Sequence, residues 1–288
     1  MNRKIKCSLA ALLVLISVLP SAAKEGIYGS AGISLIKSKD DNIDQQYYKP
    51  FAVTGWAGTF IDISASYYRW ESYSVTDELF NTREISINQP GADITVYAGD
   101  ILSISGGYSY FKGESSYTAH KMSGEIVLDF DGMEISVDSS VKNIVYDFSG
   151  TIKKSAIAAG GEISFDITDT ISWDLGYLHE YTDYKTYRYT YTKNSVRIGI
   201  VAMPERNLFF LCGITGGSDS DDVNFTAFDA GLSLKLFEHL KLMGAYMLTA
   251  DFISSDTTVT GKKGSTTTRT STETEINHTG YISASVYF

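Results

Sequence analysis

Cysteine is nearly absent. The 288 residues hold two, and because Cys7 lies in the N-terminal segment, the body of the chain has only Cys212. A single cysteine closes no disulfide and builds no cysteine-based zinc site. Four histidines with no HExxH spacing give a catalytic metal no scaffold either, so neither metal nor cofactor is expected. Positive charge is also short: 24 Lys and Arg face 34 Asp and Glu, for a net charge of −10. A chain this acidic lacks the basic face that nucleic acid requires. Proline is scarce, at four residues. Beyond the N-terminal segment no apolar run approaches the roughly 18 residues of a spanning helix. If this chain enters a membrane, it must do so as a closed β-barrel, the remaining structure that satisfies every backbone hydrogen bond in hydrocarbon.

What is present points the same way. Arg3, Lys4 and Lys6 precede an apolar run from Leu9 to Leu19, then Pro20 and Ser21-Ala22-Ala23. A basic start, a short apolar centre and a small-residue ending form a secretory signal peptide, so residues 1–23 are expected to be cut away after Ala23 and 24–288 to form a single domain. The run is too short for a membrane anchor, which needs about 20 residues. Tyrosine, serine, threonine and glycine abound in the rest, which is strand and turn material.

Two-residue alternation recurs along the chain. Ile27–Lys37, Tyr48–Ala57, Ile61–Tyr73, Arg83–Ala98 and Ile101–Phe111 each read as a strand. Lys121–Phe130 and Met133–Asp147 flank Asp131-Gly132, a strong hairpin signal. Ser155–Phe165, Ile171–Tyr181, Tyr187–Ala202, Leu208–Thr215, Val223–Phe237, Leu240–Phe252 and Thr274–Phe288 complete fourteen strands, with twelve as the alternative. Short turns alternate with longer loops, such as Ser38–Gln46 and an acidic loop at Gly216–Asp222. The Thr-rich stretches Ser254–Thr260 and Ser265–Thr274 read as a hairpin prolonging its strands, with a disordered tract as the competing reading. A soluble sandwich would put Lys and Glu on its polar face. Here aromatics gather toward strand ends instead, with Trp70, Tyr73, Tyr108, Tyr110, Tyr146, Phe148, Tyr181, Tyr187, Tyr189 and Tyr191 toward the loops and Phe60, Phe130, Phe165, Phe209, Phe237 and Phe288 toward the turns. Two such belts fit the two headgroup levels of a bilayer.

The last eight residues carry the most specific pattern. Ile282, Ala284, Val286 and Phe288 share one face, while Tyr281, Ser283, Ser285 and Tyr287 share the other. This ending resembles the closing strand of bacterial outer-membrane β-barrels, whose terminal Phe and alternate apolar residues form their assembly signal. The resemblance implies an all-β, closed antiparallel transmembrane barrel with short periplasmic turns and longer extracellular loops, in the outer membrane of a bacterium with two membranes. It also implies outer-membrane lipid and the barrel-assembly machinery as partners. In architecture the chain is similar to small porin-like channels.

With apolar faces toward lipid, the alternate positions line the lumen. They include Ser64, Ser66, Ser103, Ser105, Ser109, Ser136, Ser140, Ser164, Ser233 and Ser283. The charged candidates are Glu125, Asp129, Glu134, Asp138, Asp174, Lys121, Lys142, Arg197, Lys235 and Lys241, with Asp62, Glu162, Asp229 and Asp251 beside them. Barrels of about eight strands are filled and those of 16–18 hold water, so about fourteen strands imply a narrow wet pore for small solutes or ions, its acidic excess favouring cations. The competing reading is a closed, surface-binding barrel whose lumen is shut by pairs such as Glu125–Lys142. A third is an omptin-like protease, which the final hairpin broadly resembles. His179-Glu180 with Asp183 is the one acid–histidine grouping at a strand's outer end, and it lacks the partners for catalysis.

Overall fold

The computed structural model describes residues 26–39, 44–76, 82–114, 116–147, 151–186, 188–205, 207–221, 223–236, 239–260 and 266–287. The N-terminal segment 1–23 lies outside the described residues, as do Phe148, Tyr187, Phe237 and the terminal Phe288. The strands are β1 (Gly26–Lys39), β2 (Asp44–Ala57), β3 (Ile61–Thr76), β4 (Thr82–Ala98), β5 (Leu102–Gly113), β6 (Thr118–Phe130) and β7 (Met133–Asp147), followed by β8 (Thr151–Thr168), β9 (Ile171–Tyr184), β10 (Tyr189–Glu205), β11 (Leu208–Asp219), β12 (Val223–Leu236), β13 (Leu240–Thr260) and β14 (Thr266–Tyr287). Each pairs antiparallel with its sequence neighbours, and β1 pairs with β14 from Ser30–Tyr287 to Lys39–His278. The sheet therefore closes as a 14-strand barrel with no free edge.

The registers fix which face each residue takes. Ile33 and Leu35 stand opposite Ala284 and Ile282, while Ser34 stands opposite Ser283. Carried round the barrel, this parity puts most of the large exposed apolar residues on the outside, among them Ile27 at 70% and Ile282 at 66% exposure. In water such a surface would drive association, whereas in hydrocarbon it is the favoured face. Trp56, Phe130 and the stacked Phe165–Trp173 pair ring its turn-side end.

At the loop-side end a second ring recurs as diagonal outward pairs. The Tyr67 hydroxyl donates to Asn88 at 2.6 Å, Tyr177 donates to Asn194 at 2.9 Å, Tyr108 bonds His120 at 2.6 Å, and Tyr246 bonds His278. From His120 to Phe130 on β6 the outward face spans eleven residues, the length a tilted strand needs to cross a bilayer. The belt expected from sequence is corrected in part: Trp70, Tyr73, Tyr146, Tyr189 and Tyr191 point inward.

Trp70 and Tyr73 share the inner face because β3 carries a bulge between them, where Ser72 takes φ 58°. Two residues there oppose Ser86 alone, which resets the alternation by one. Pro50 and Pro90 lack an N–H, and the β2–β3 and β4–β5 ladders each skip two pairs beside them. The strands also outlast their apolar stretches. Gln45 and Gln46, expected in a loop, pair with Ser38 and Lys37, and β13–β14 continue as a hairpin to Thr260–Thr266. Connections on the loop rim run three to five residues, against two or three on the turn rim.

Candidate functional site

The inner face of the β6–β7 hairpin is a ladder of charge. Lys121 stands directly opposite Lys142, Ser123 opposite Ser140, Glu125 opposite Asp138, and Asp129 opposite Glu134. The Glu125–Lys142 pair that the closed-lumen reading would use does not form. The two sit in different rungs, the Lys142 ammonium lies 4.3 Å above the Phe111 ring, and Glu125 accepts from the Ser105 hydroxyl at 3.4 Å. Like charges placed directly across a sheet are destabilising. A fourth such pair, Lys235 opposite Lys241, lies on the inner face of β12–β13 near the turn rim.

A cavity of about 490 Å³ opens on this ladder, lined by Lys121, Ser123, Glu125, Asp138 and Ser140 together with Asp93, Ser105 and Gly107 from β4 and β5. Gly107 leaves room there for the Asp93 carboxylate, which a Cβ at that position would displace. A second cavity of about 500 Å³ takes up the next inward positions, with Tyr97, Ser103, Val127, Asp129, Glu134 and Asp62 reaching the turn rim. Asp62 is committed to structure there, accepting from the Gly58 amide at 3.0 Å and the Tyr97 hydroxyl at 2.8 Å. The two cavities follow one another along the β4–β7 wall.

Arg197 joins the β9–β12 wall. Its guanidinium pairs with Asp174 and donates to both Asp229 oxygens, Nη2 to Oδ2 at 2.9 Å and Nε to Oδ1 at 3.3 Å. Gly213 lies beneath it, and a Cβ there would stand 2.6 Å from Nη2. Asp174 is 4% exposed, and its Oδ1 has no hydrogen-bond partner. Two carboxylates around one guanidinium make this cluster a structural clamp.

The sequence reading missed the inward aromatics and the lysines they hold. The Lys49 ammonium lies 4.4 Å from the ring centres of both Tyr68 and Trp70. Lys154 and Lys193 lie over Tyr184 and Phe225 in the same way. At the loop end of the β3–β7 wall Ile85, Ile87, Phe111, Tyr117, Ala119, Ile144 and Tyr146 are buried together, with Trp70 and Tyr73 against them. Elsewhere the inner face mixes apolar and polar residues: Phe51, Val53, Leu211 and Met243 face inward, and Ser34, Ser233, Ser283 and Ser285 are covered rather than open. A signal for this was present: β2 alternates with apolar residues on both faces, which marks a wall that meets lipid on one side and packed side chains on the other.

The acid–histidine grouping is not brought together. His179 and Asp183 share parity with the outward Tyr177, while Glu180 points inward opposite Lys193. The His179 Nδ1 bonds Asn194 Oδ1 at 2.8 Å within the outer ring.

No protein-family model matches the sequence, and no curated protein matches it. Solved structures match its shape. The chain is similar to the CymD monoaromatic hydrocarbon channel (TM-score 0.59, 9% identity, covering 92% of this chain and 89% of that one) and to a FadL homologue of Pseudomonas aeruginosa (0.54, 10%, 91% and 90%). It is also similar to the toluene transporter TodX of Pseudomonas putida (0.51, 9%, 96% and 93%). At these identities the likeness is one of fold: the chain folds as bacterial outer-membrane β-barrels do.

Proposed function

We propose that this chain is a passive outer-membrane channel for small polar solutes or ions. Its carrying observation is the pair of adjoining polar cavities, walled by serine, glycine and carboxylates, inside a closed barrel with an apolar exterior. Secretion through residues 1–23, insertion by the barrel-assembly machinery through Ile282, Ala284, Val286 and Phe288, and residence in the outer membrane belong to the same reading. So does a mild cation preference from Asp93, Glu125 and Asp138. CymD and TodX are named for hydrocarbon passage, but charged and hydroxyl-bearing walls suit polar solutes better. One observation favours a closed, surface-binding barrel instead: the buried Ile85–Tyr146 cluster, into which Tyr117 folds from the β5–β6 loop. Reconstitution in planar bilayers separates the two readings. Stepwise conductance in KCl is expected of the channel, and a silent bilayer containing folded protein refutes it.

A further inference from the structure

We infer that the lumen takes zwitterionic solutes, short peptides above all, aligned with the carboxylate toward the loop rim and the ammonium toward the turn rim. This rests on the channel reading above and names its substrate class.

The β6–β7 ladder carries the argument. A sheet arranged for stability alone puts opposite charges across from each other, and here exchanging two residues on one strand would do so. The hairpin instead segregates its charge, with Lys121 and Lys142 in the rung nearer the loops, hydroxyls in the next, and Glu125 with Asp138 in the third. Asp93 joins the third rung in lining the cavity. Neither Lys121 nor Lys142 has a carboxylate partner among the described residues. Lys121 and the Glu125–Asp138 rung line the cavity and are left to be neutralised by its occupant, while the Lys142 ammonium rests above Phe111 just behind Lys121.

The spacing selects the occupant. Lys121 and Glu125 are four residues apart on one strand, about 13 Å. An extended peptide of three residues separates its terminal charges by about 10 Å, which the lysine stem accommodates. Its backbone amides would lie against Ser123 and Ser140, which can both donate and accept. A lone cation meets the lysine rung unfavourably, and a lone anion meets the acidic rung unfavourably. A molecule charged at both ends is matched at both, and a neutral sugar gains nothing.

The test is solute uptake by proteoliposomes containing the full processed chain. Trialanine is compared with its N-acetyl, C-amide and doubly blocked forms. Free trialanine should enter faster, by up to about fivefold for each charged end, the range an exposed ion pair supports. Lys121→Gln with Lys142→Gln should abolish the advantage of the free carboxylate alone. Glu125→Gln with Asp138→Asn should abolish that of the free ammonium alone. Heat-shifted gel mobility confirms that each variant is folded, and removing like-charge pairs leaves folding no harder. Wild-type KCl conductance with all four peptides entering at similar rates overturns the zwitterion inference alone. Absence of KCl conductance overturns the channel reading and this inference with it.

Discussion

Exchanging Asp138 and Lys142, as Asp138→Lys with Lys142→Asp, keeps the composition and net charge of the barrel while turning two like-charge rungs into two opposite-charge rungs. A cross-strand charge pair is worth about 0.2–1 kcal/mol in either sense, so each rung should gain about 0.4–2 kcal/mol and the two together about 1–4 kcal/mol. Against this, the exchange removes the Lys142 ammonium from its seat above Phe111, a loss of about 0.5–1 kcal/mol. The net expectation is a barrel about 2 kcal/mol more stable. Urea unfolding in lipid vesicles, followed by tryptophan fluorescence, reads this as a raised midpoint at unchanged slope. The gain should shrink at high salt, because the screening length falls from about 10 Å at 0.1 M to about 3 Å at 1 M. An exchanged protein no more stable than wild type at low salt refutes the claim that these charges face each other across a wet lumen.

Arg197→Met should destabilise the barrel by about 3 kcal/mol, measured in the same way, since it strands the Asp174 and Asp229 carboxylates without their shared cation. Ile126→Lys, on the outer face near the middle of the His120–Phe130 span, should cost about 2–4 kcal/mol in bilayers, and a neutral result would mean that this face is not in lipid. Beyond the loop-side ring, hydrogen bonding to Asp221 holds the Tyr189 phenol above its ordinary range. A raised folded pKa contributes stability that is present below the ordinary phenol range and lost as the pH rises through the folded value. Asp221→Asn should therefore move the alkaline phenolate absorbance of Tyr189 to lower pH, and an unmoved titration contradicts the contact.

Strand number and facing were legible in the sequence because a lipid-facing strand alternates strictly. Ile282, Ala284 and Val286 lie outward against β1 as their spacing implies, and Lys121, Glu125, Asp138 and Lys142 share one inner face as theirs implies. The strand ends were not legible. Outside the bilayer both faces of a strand meet water, so Lys37–Lys39 and Asp44–Gln46 lose their alternation while their backbones stay paired. Tyr73 was misplaced because a bulge at Ser72 resets the period, and Ser72 carries no residue-type signal for it. Lys49 and Asp93 went unnoticed for different reasons. Lys49 lies in a strand with apolar residues on both faces, and what marks Asp93 is its neighbour across the sheet, Gly107, a tertiary contact that spacing does not encode.

Three tryptophans report which side of the wall meets lipid. Trp56 and Trp173 lie on the outer face, and Trp70 lies on the inner face beneath Lys49. In vesicles of lipids with brominated acyl chains, single-tryptophan variants should lose most of the fluorescence of Trp56 and Trp173 and almost none of that of Trp70. Strong quenching of Trp70 with little at Trp56 and Trp173 would contradict this arrangement, placing the charged ladder in hydrocarbon and the apolar face inside.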